Sequence, residues 1–319
     1  MKLPKEKNKN YLEQTNNMVS NEKTALVLGA SGMDGSLMVE LLKTKGYDVV
    51  TISGHSKWDQ LASTIGFLRP REIYNFAGVS DTFQPFAAVS DNIAANLTLP
   101  ANILDIICKV DPTIKFFNAS SCLIFGKDTS GFQNENTPIN PSHPYGIIKN
   151  AATQLIKMYL EEKGLFACSA IYFPHEHPKR GSQFFTKKIC SAVARIKMGS
   201  EEKITVGDLK QWRDWGWAPD YVEAAYMMLQ HHTPTDFVVG TGVPITTGRF
   251  IQLAFDYAGI VNWEQYIDSK EDLVRTNDIK VLQADISRIK KELGWEPKHD
   301  IYFIIKSMID HEVEQLKNK

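Results

Sequence analysis

T-A-L-V-L-G-A-S-G-M-D-G-S, Thr24 to Ser36, is the stretch on which the fold turns. An apolar run with strand character ends in glycine, and Gly29, Gly32 and Gly35 recur at even spacing. Leu37, Met38, Leu41 and Leu42 then take up helical spacing, with Gly46 closing the helix. Strand, glycine turn and helix in that order bring backbone N–H groups to a pyrophosphate at the helix N-terminus. The turn therefore reads as a dinucleotide-binding loop, with Gly29, Ser31, Gly32, Met33 and Gly35 as its contacts.

Outward from this loop the chain alternates. D-V-V-T-I-S is a strand, W-D-Q-L-A-S-T-I-G-F-L a helix stopped by Pro70, and E-I-Y-N-F-A-G a strand whose end offers Ala77 and Gly78 to the cofactor. A long helix over Asp91–Cys108, a strand K-F-F-N-A-S, a helix over Tyr145–Gly164 and a strand F-A-C-S-A-I-Y-F come after it. Strands alternating with helices predict right-handed crossovers and an α/β fold, a Rossmann-type doubly wound parallel sheet. From about residue 174 the rhythm becomes irregular. Residues 23–173 read as the dinucleotide-binding domain and 174–319 mainly as a smaller α/β lobe, interleaved with the last strands. Residues 1–22, basic and Asn-rich, read as a disordered arm.

Composition sets the limits. The chain has 319 residues, 43% of them hydrophobic, enough for a large core. A net charge of −1 makes no electrostatic case for nucleic acid or membrane as partner. Cys108, Cys122, Cys168 and Cys190 match no zinc spacing and favour reduced thiols, hence a cytoplasmic protein without a metal site. No signal peptide is apparent, and no apolar run of membrane-spanning length.

Tyr145 and Lys149, in H-P-Y-G-I-I-K, sit four apart and share a helix face. An ammonium beside a tyrosine stabilises the phenolate, which predicts a lowered pKa and a general acid/base near neutrality. Ser121, at the end of the strand before, can bond the same substrate oxygen. The second strand ends in T-I-S-G-H-S-K instead of the Asp or Glu that would hold a ribose 2′-hydroxyl. His55 and Lys57 tilt the choice toward NADP with its 2′-phosphate, and NAD stays open.

With nucleotide loop, N-F-A-G, serine-rich strand end and Y-x-x-x-K in this order, the chain resembles the extended short-chain dehydrogenases that act on nucleotide sugars. It is most similar to the GDP-mannose 4,6-dehydratase family. The G-x-x-G-x-x-G spacing suits that class. The most specific segments are H-E-H-P-K-R-G-S-Q-F-F-T-K-K-I (175–189), G-D-L-K-Q-W-R-D-W-G-W-A-P-D-Y-V-E-A (207–224) and V-L-Q-A-D-I-S-R-I-K-K-E-L-G-W-E-P (281–297). The resemblance implies that His175 and Arg180 touch the cofactor. It also implies that Lys187, Arg213 and Arg275 hold the nucleotide-sugar diphosphate and that Asp278 accepts from the ribose. A homodimer built on a four-helix contact is implied as well.

Three departures bear on the reaction. Where the family has Ser-Thr-Ser-Glu-Leu-Tyr-Gly, this chain has S-S-C-L-I-F-G, so Leu123 takes the place of the glutamate that removes the C5 proton. Cys122, next to Ser121, is expected on the opposite face of the strand. Pro174 replaces an asparagine on the sugar side, and a loop after the second strand is missing, which favours a dimer over a tetramer. Hydride transfer at C4 is expected and elimination is in doubt, leaving epimerisation or reduction of a 4-keto sugar. A nucleotide-sugar or NADP sensor without turnover is the alternative from a different class.

Overall fold

Every residue of β1 (Thr24–Leu28) is buried, as in a parallel sheet covered on both faces. The computed structural model describes residues 23–52, 58–79, 89–127, 131–270 and 279–318. The arm read over 1–22 lies outside the described residues, as do His55, Lys57, Arg275 and Asp278.

β1 is followed by α1 (Met33–Thr44), β2 (Asp48–Ile52), α2 (Trp58–Leu68) and β3 (Glu72–Asn75). A long helix, α3 (Val89–Val110), comes next, then β4 (Lys115–Ser121), α4 (Pro144–Lys163) and β5 (Ala167–Tyr172). The chain continues with β6 (His175–Glu176), α5 (Phe185–Lys197), β7 (Ile204–Val206), β8 (Trp212–Arg213) and β9 (Gly216–Trp217). It then forms α6 (Ala218–Gln230), β10 (Phe237–Val239), β11 (Ile245–Thr246), α7 (Thr247–Ala258) and β12 (Ile267–Ser269). α8 (Ser287–Leu293) and α9 (Ile301–Lys317) end it.

Six strands pair in the order β10-β5-β4-β3-β1-β2, all parallel. The fold is a doubly wound α/β sheet of Rossmann type. The order reverses at β1, with β2 on one side and β3 on the other, so a crevice opens outside the carboxyl ends of β1 and β3. Alternation along each strand feeds two cores. On one face Leu37, Met38 and Met228 from α1 and α6 pack with Val27 and Phe117. On the other, Leu61, Ile103 and Ile156 from α2, α3 and α4 pack with Leu26 and Phe116. Each such buried side chain is worth about 1.5–3 kcal/mol.

α3 contains the helix read over Asp91–Cys108 and adds an irregularity inside it. It is continuous through a π-type turn at Ala94–Thr98, and by length and composition it could cross a membrane. Its apolar residues are used otherwise: Ile103, Leu104 and Ile107 are buried against the sheet, and Asn96 faces the crevice.

A separate apolar cluster joins α5, α7 and α9 through Ile189, Val193, Phe250, Phe255 and Met308. The chain passes back and forth, because α6, β10 and Ile289 of α8 belong to the sheet's own core. Two buried carboxylates pin these crossings. Asp220 accepts from the backbone N–H groups of Lys298 and His299 at 3.0 and 3.2 Å. Asp214 accepts from Thr241 N at 2.8 Å, Thr241 Oγ1 at 2.6 Å, Gly242 N at 2.8 Å and Ala284 N at 3.3 Å. Burial pushes the Asp214 carboxyl up, against these donors. Asp214→Ala would leave buried N–H groups without acceptors, at about 1–3 kcal/mol for each group that water does not reach. Denaturant unfolding is expected to show a loss of at least about 2 kcal/mol, with Asp214→Asn losing less.

Candidate active site

Gly29 takes φ +79°, and a Cβ there would lie 2.6 Å from Ala77 N and Phe76 C at the end of β3. A Cβ on Gly35 would lie 2.2 Å from the Gly29 carbonyl oxygen. Only glycine allows α1 to start this close to β1. The N-cap residue, Gly32, offers no side-chain bond to the first turn, which leaves backbone N–H groups for an incoming anion. Beside the turn opens a cleft of about 720 Å³.

Ser31, Gly32, Met33, Gly35 and Gly78 line this cleft. Ser121, Tyr145 and Lys149 line it too, as do His175, Arg180 and Arg213. Gly29 and Ala77 lie behind the wall, in contact with each other across the β1–β3 crevice. Lys187 does not join them. Its Nζ binds Glu312 of α9 and the Pro178 carbonyl, and the side chain does not line the cleft where a phosphate was expected. A lysine in the first turn of a helix can point to either lobe, and here the apolar cluster between α5 and α9 turns it inward.

β4 ends at Ser121, whose hydroxyl bonds Tyr145 and caps a short 3-10 turn over Cys122–Ile124. That turn cancels the alternation expected of Cys122. Its thiol is buried in an apolar cluster with Phe173 and Ile279 while touching the cleft wall, and burial pushes it up to about 12. Ser120 turns inward and meets Thr153 Oγ1 at 2.7 Å.

Tyr145 and Lys149 stand together at the start of α4, Nζ 5.7 Å from the ring centre. Lys149 Nζ donates to the Ala119 carbonyl at 2.8 Å, and burial lowers its pKa to about 8. The Tyr145 hydroxyl is pushed up, by burial first and by Cys122 second, against the Ser121 bond. This corrects the expected lowering: with the phenol enclosed and Lys149 tied to a carbonyl, desolvation outweighs the cation. At neutral pH Tyr145 is thus a phenol with a proton to give.

Four residues were not legible from motifs. Asn96, carried into the cleft by the π turn, donates to Val79 O and Asn92 Oδ1 at 3.0 and 2.7 Å, and its buried Oδ1 accepts nothing. His143 caps α4, its Nδ1 accepting from Tyr145 N at 3.2 Å, so the neutral ring carries its proton on Nε2. Glu176 is buried beside Arg180, Oε2 to Nε 3.4 Å, and burial holds its pKa up. Asp34 follows Met33 in the glycine loop. Its carboxylate meets His175 Nε2 at 3.0 Å, while Nδ1 of that ring meets the Phe173 carbonyl at 2.8 Å. Both partners can only accept, so the ring needs both protons. The helix signals around Asn96, and an acid inside the glycine turn, were the clues available.

Glycine cradle, first-turn N–H groups and the open Asn96 oxygen fit a dinucleotide, and Arg213 adds a cation to the same cleft. The fold and site define an extended short-chain dehydrogenase. The model for "GDP-mannose 4,6 dehydratase" matches residues 56–308. GDP-mannose 4,6 dehydratase 2 of Arabidopsis thaliana is 34% identical over 95% of this chain and 90% of its own length. The chain belongs to the GDP-mannose 4,6-dehydratase family. Among solved structures, UDP-glucose 4-epimerase of Thermotoga maritima with UDP-glucose superposes with TM-score 0.83 and 19% identity, over 93% of this chain and all 100% of that one. RMD of Pseudomonas aeruginosa with NADPH gives TM-score 0.80 and 21% identity, over 92% and 99%.

The Asp34–His175 pair ties the glycine loop to β6 and titrates. Burial raises the Asp34 carboxyl, but His175 prevails and holds it below 3.8. Burial lowers His175, but Asp34 prevails and lifts it above 6.5. Stability from the pair is therefore full between these two values. It fades as pH rises through the elevated histidine value, and again as pH falls through the depressed aspartate one. Asp34→Asn is expected to lower Tm more at pH 6 than at pH 9. Equal losses at both would contradict the pairing.

Proposed function

We propose that this chain is an NADP-dependent enzyme that exchanges hydride at C4 of a nucleotide-linked hexose, with GDP as the nucleotide. It acts as an epimerase or 4-keto reductase and not as a dehydratase. One observation carries the reading: Ser121, Tyr145 and Lys149 share a single cleft with the glycine turn and Arg213. Family membership adds the nucleotide sugar. NADPH in the Pseudomonas aeruginosa structure supports the same cofactor here.

When bound, the nicotinamide supplies hydride chemistry at the sugar carbon. The chain's own residues do the rest. Gly32, Met33 and Gly35 would hold the cofactor's pyrophosphate on backbone N–H groups, with His175 and Arg180 lining the same cleft. Arg213, bonded to Gln211 Oε1 at 2.8 Å, holds a diphosphate by its charge. Ser121 fixes O4 through a hydrogen bond, and Tyr145 carries the proton at that oxygen. Lys149, beside the ring and with its pKa lowered to about 8, is the group that resupplies it. The raised Tyr145 value suits delivery of a proton to a carbonyl oxygen.

Elimination needs a base at C5. Leu123 stands where the family carries glutamate. Of the acids that line the described cleft, Asp34 and Glu176 pair with His175 and Arg180, and Asp208 accepts from Lys210 N through one oxygen. Incubation with GDP-mannose and NADP, followed by mass and NMR analysis, is expected to yield no 4-keto-6-deoxy product, and Leu123→Glu a trace of it. Tyr145→Phe should bind cofactor and lose any turnover by at least about 10²-fold. Robust dehydration by the wild type would overturn the role given to residue 123.

For assembly, a homodimer is the reading that fits the exposed apolar residues Ile93 of α3 and Ile147 and Met158 of α4, on a two-fold contact of these helices. Light scattering at micromolar protein is expected to give a dimer, and a monomer would contradict it. A cytoplasmic location accords with the free cysteines.

A further inference from the structure

Segment 177–181 leads from β6 toward α5 and lines the same cleft as the glycine turn, through Lys179, Arg180 and Gly181. It is braced as a tight turn: Arg180 N donates to His177 O at 2.8 Å and Lys179 N to His177 Nδ1 at 3.2 Å. The second lobe anchors it. The Pro178 carbonyl accepts from Lys187 Nζ at 2.7 Å, the His177 ring lies 4.9 Å from that of Trp217, and the Arg180 guanidinium sits 3.5 Å over the Phe184 ring. Two ties join this stretch to α1. The inner one is Asp34–His175, enclosed at the foot of the segment. The outer one is Lys179, whose Nζ donates to Glu40 Oε1 at 2.7 Å and to Ser36 Oγ at 3.3 Å. Ser36 and Glu40 are four apart and share one face of α1. The Lys179 and Glu40 side chains are 43% and 63% exposed, so this tie parts at little cost. Parting the inner one would strand a buried charge.

We propose that segment 177–181 is a strap across the dinucleotide site, fastened by Lys179 and Glu40, and that parting of this pair sets how fast the cofactor enters and leaves. The inference rests on the dinucleotide reading above and adds a control on exchange. One short segment joins two walls of the cleft: α1, whose first turn carries the N–H groups read as holding the pyrophosphate, and α5, which brings Phe185 and Thr186 to the same space. A ligand seated on the turn is bordered by that bridge. The two ties differ in kind, and the difference makes a gate. The buried one fixes the foot of the strap, and the exposed one is free to open and close while the fold stays intact. Lys179 and Glu40 are thus positioning residues, acting on the cofactor through the strap and not by touching it.

Stopped-flow fluorescence of NADPH with the full chain, and displacement of bound NADPH by NADP, give the two rates directly. Lys179→Met and Glu40→Gln are each expected to raise association and dissociation together by about two- to five-fold, because a gate is passed in both directions. Tm should hold in both variants, since the pair is exposed. Exchanging the charges, Lys179→Glu with Glu40→Lys, should bring both rates back toward the wild type. A field effect on an anionic ligand would instead move the two single variants in opposite directions, as one loses a cation and the other an anion. Opposite shifts, unchanged rates, or a rise in dissociation alone would overturn the strap and leave the dinucleotide reading standing. Failure of the wild type to bind NADPH would overturn both.

Discussion

The approach of α1 to β1 governs the molecule. Gly35 sits against the Gly29 carbonyl at a distance no side chain tolerates, and Gly29 in turn abuts the end of β3. This contact sets the N-terminus of α1 at the crevice where the strand order reverses. It also directs Asp34, one position before Gly35, across the cleft to His175. One backbone constraint therefore places the anion-binding turn and the acid that joins it to β6.

Burial then sets the chemistry. Tyr145 and Lys149 are 9% and 6% exposed, and desolvation disfavours the charged form of each. The result is a phenol that keeps its proton and a lysine poised near pH 8. Such a pair is better suited to give a proton to a carbonyl oxygen than to take one from an alcohol.

The sequence by itself determined the order of strands and helices, because alternation and helical spacing report burial residue by residue. It determined the glycine turn, since positive φ and close approach demand glycine at fixed places, and it determined Ser121, Tyr145 and Lys149 as a set. Leu123 was equally plain as a departure from the motif that the resemblance implies. Only the tertiary structure decided what depends on contacts distant along the chain. Lys187 belongs to Glu312, 125 positions away. Asp34 and His175 meet across 141. The π turn that carries Asn96 inward, and the 3-10 turn that ends the alternation at Cys122, arise from packing that local propensity does not encode. The direction of the Tyr145 shift was decided there too. A cation four residues away is visible in the sequence, but the depth at which both groups are enclosed is not, and desolvation grows with depth.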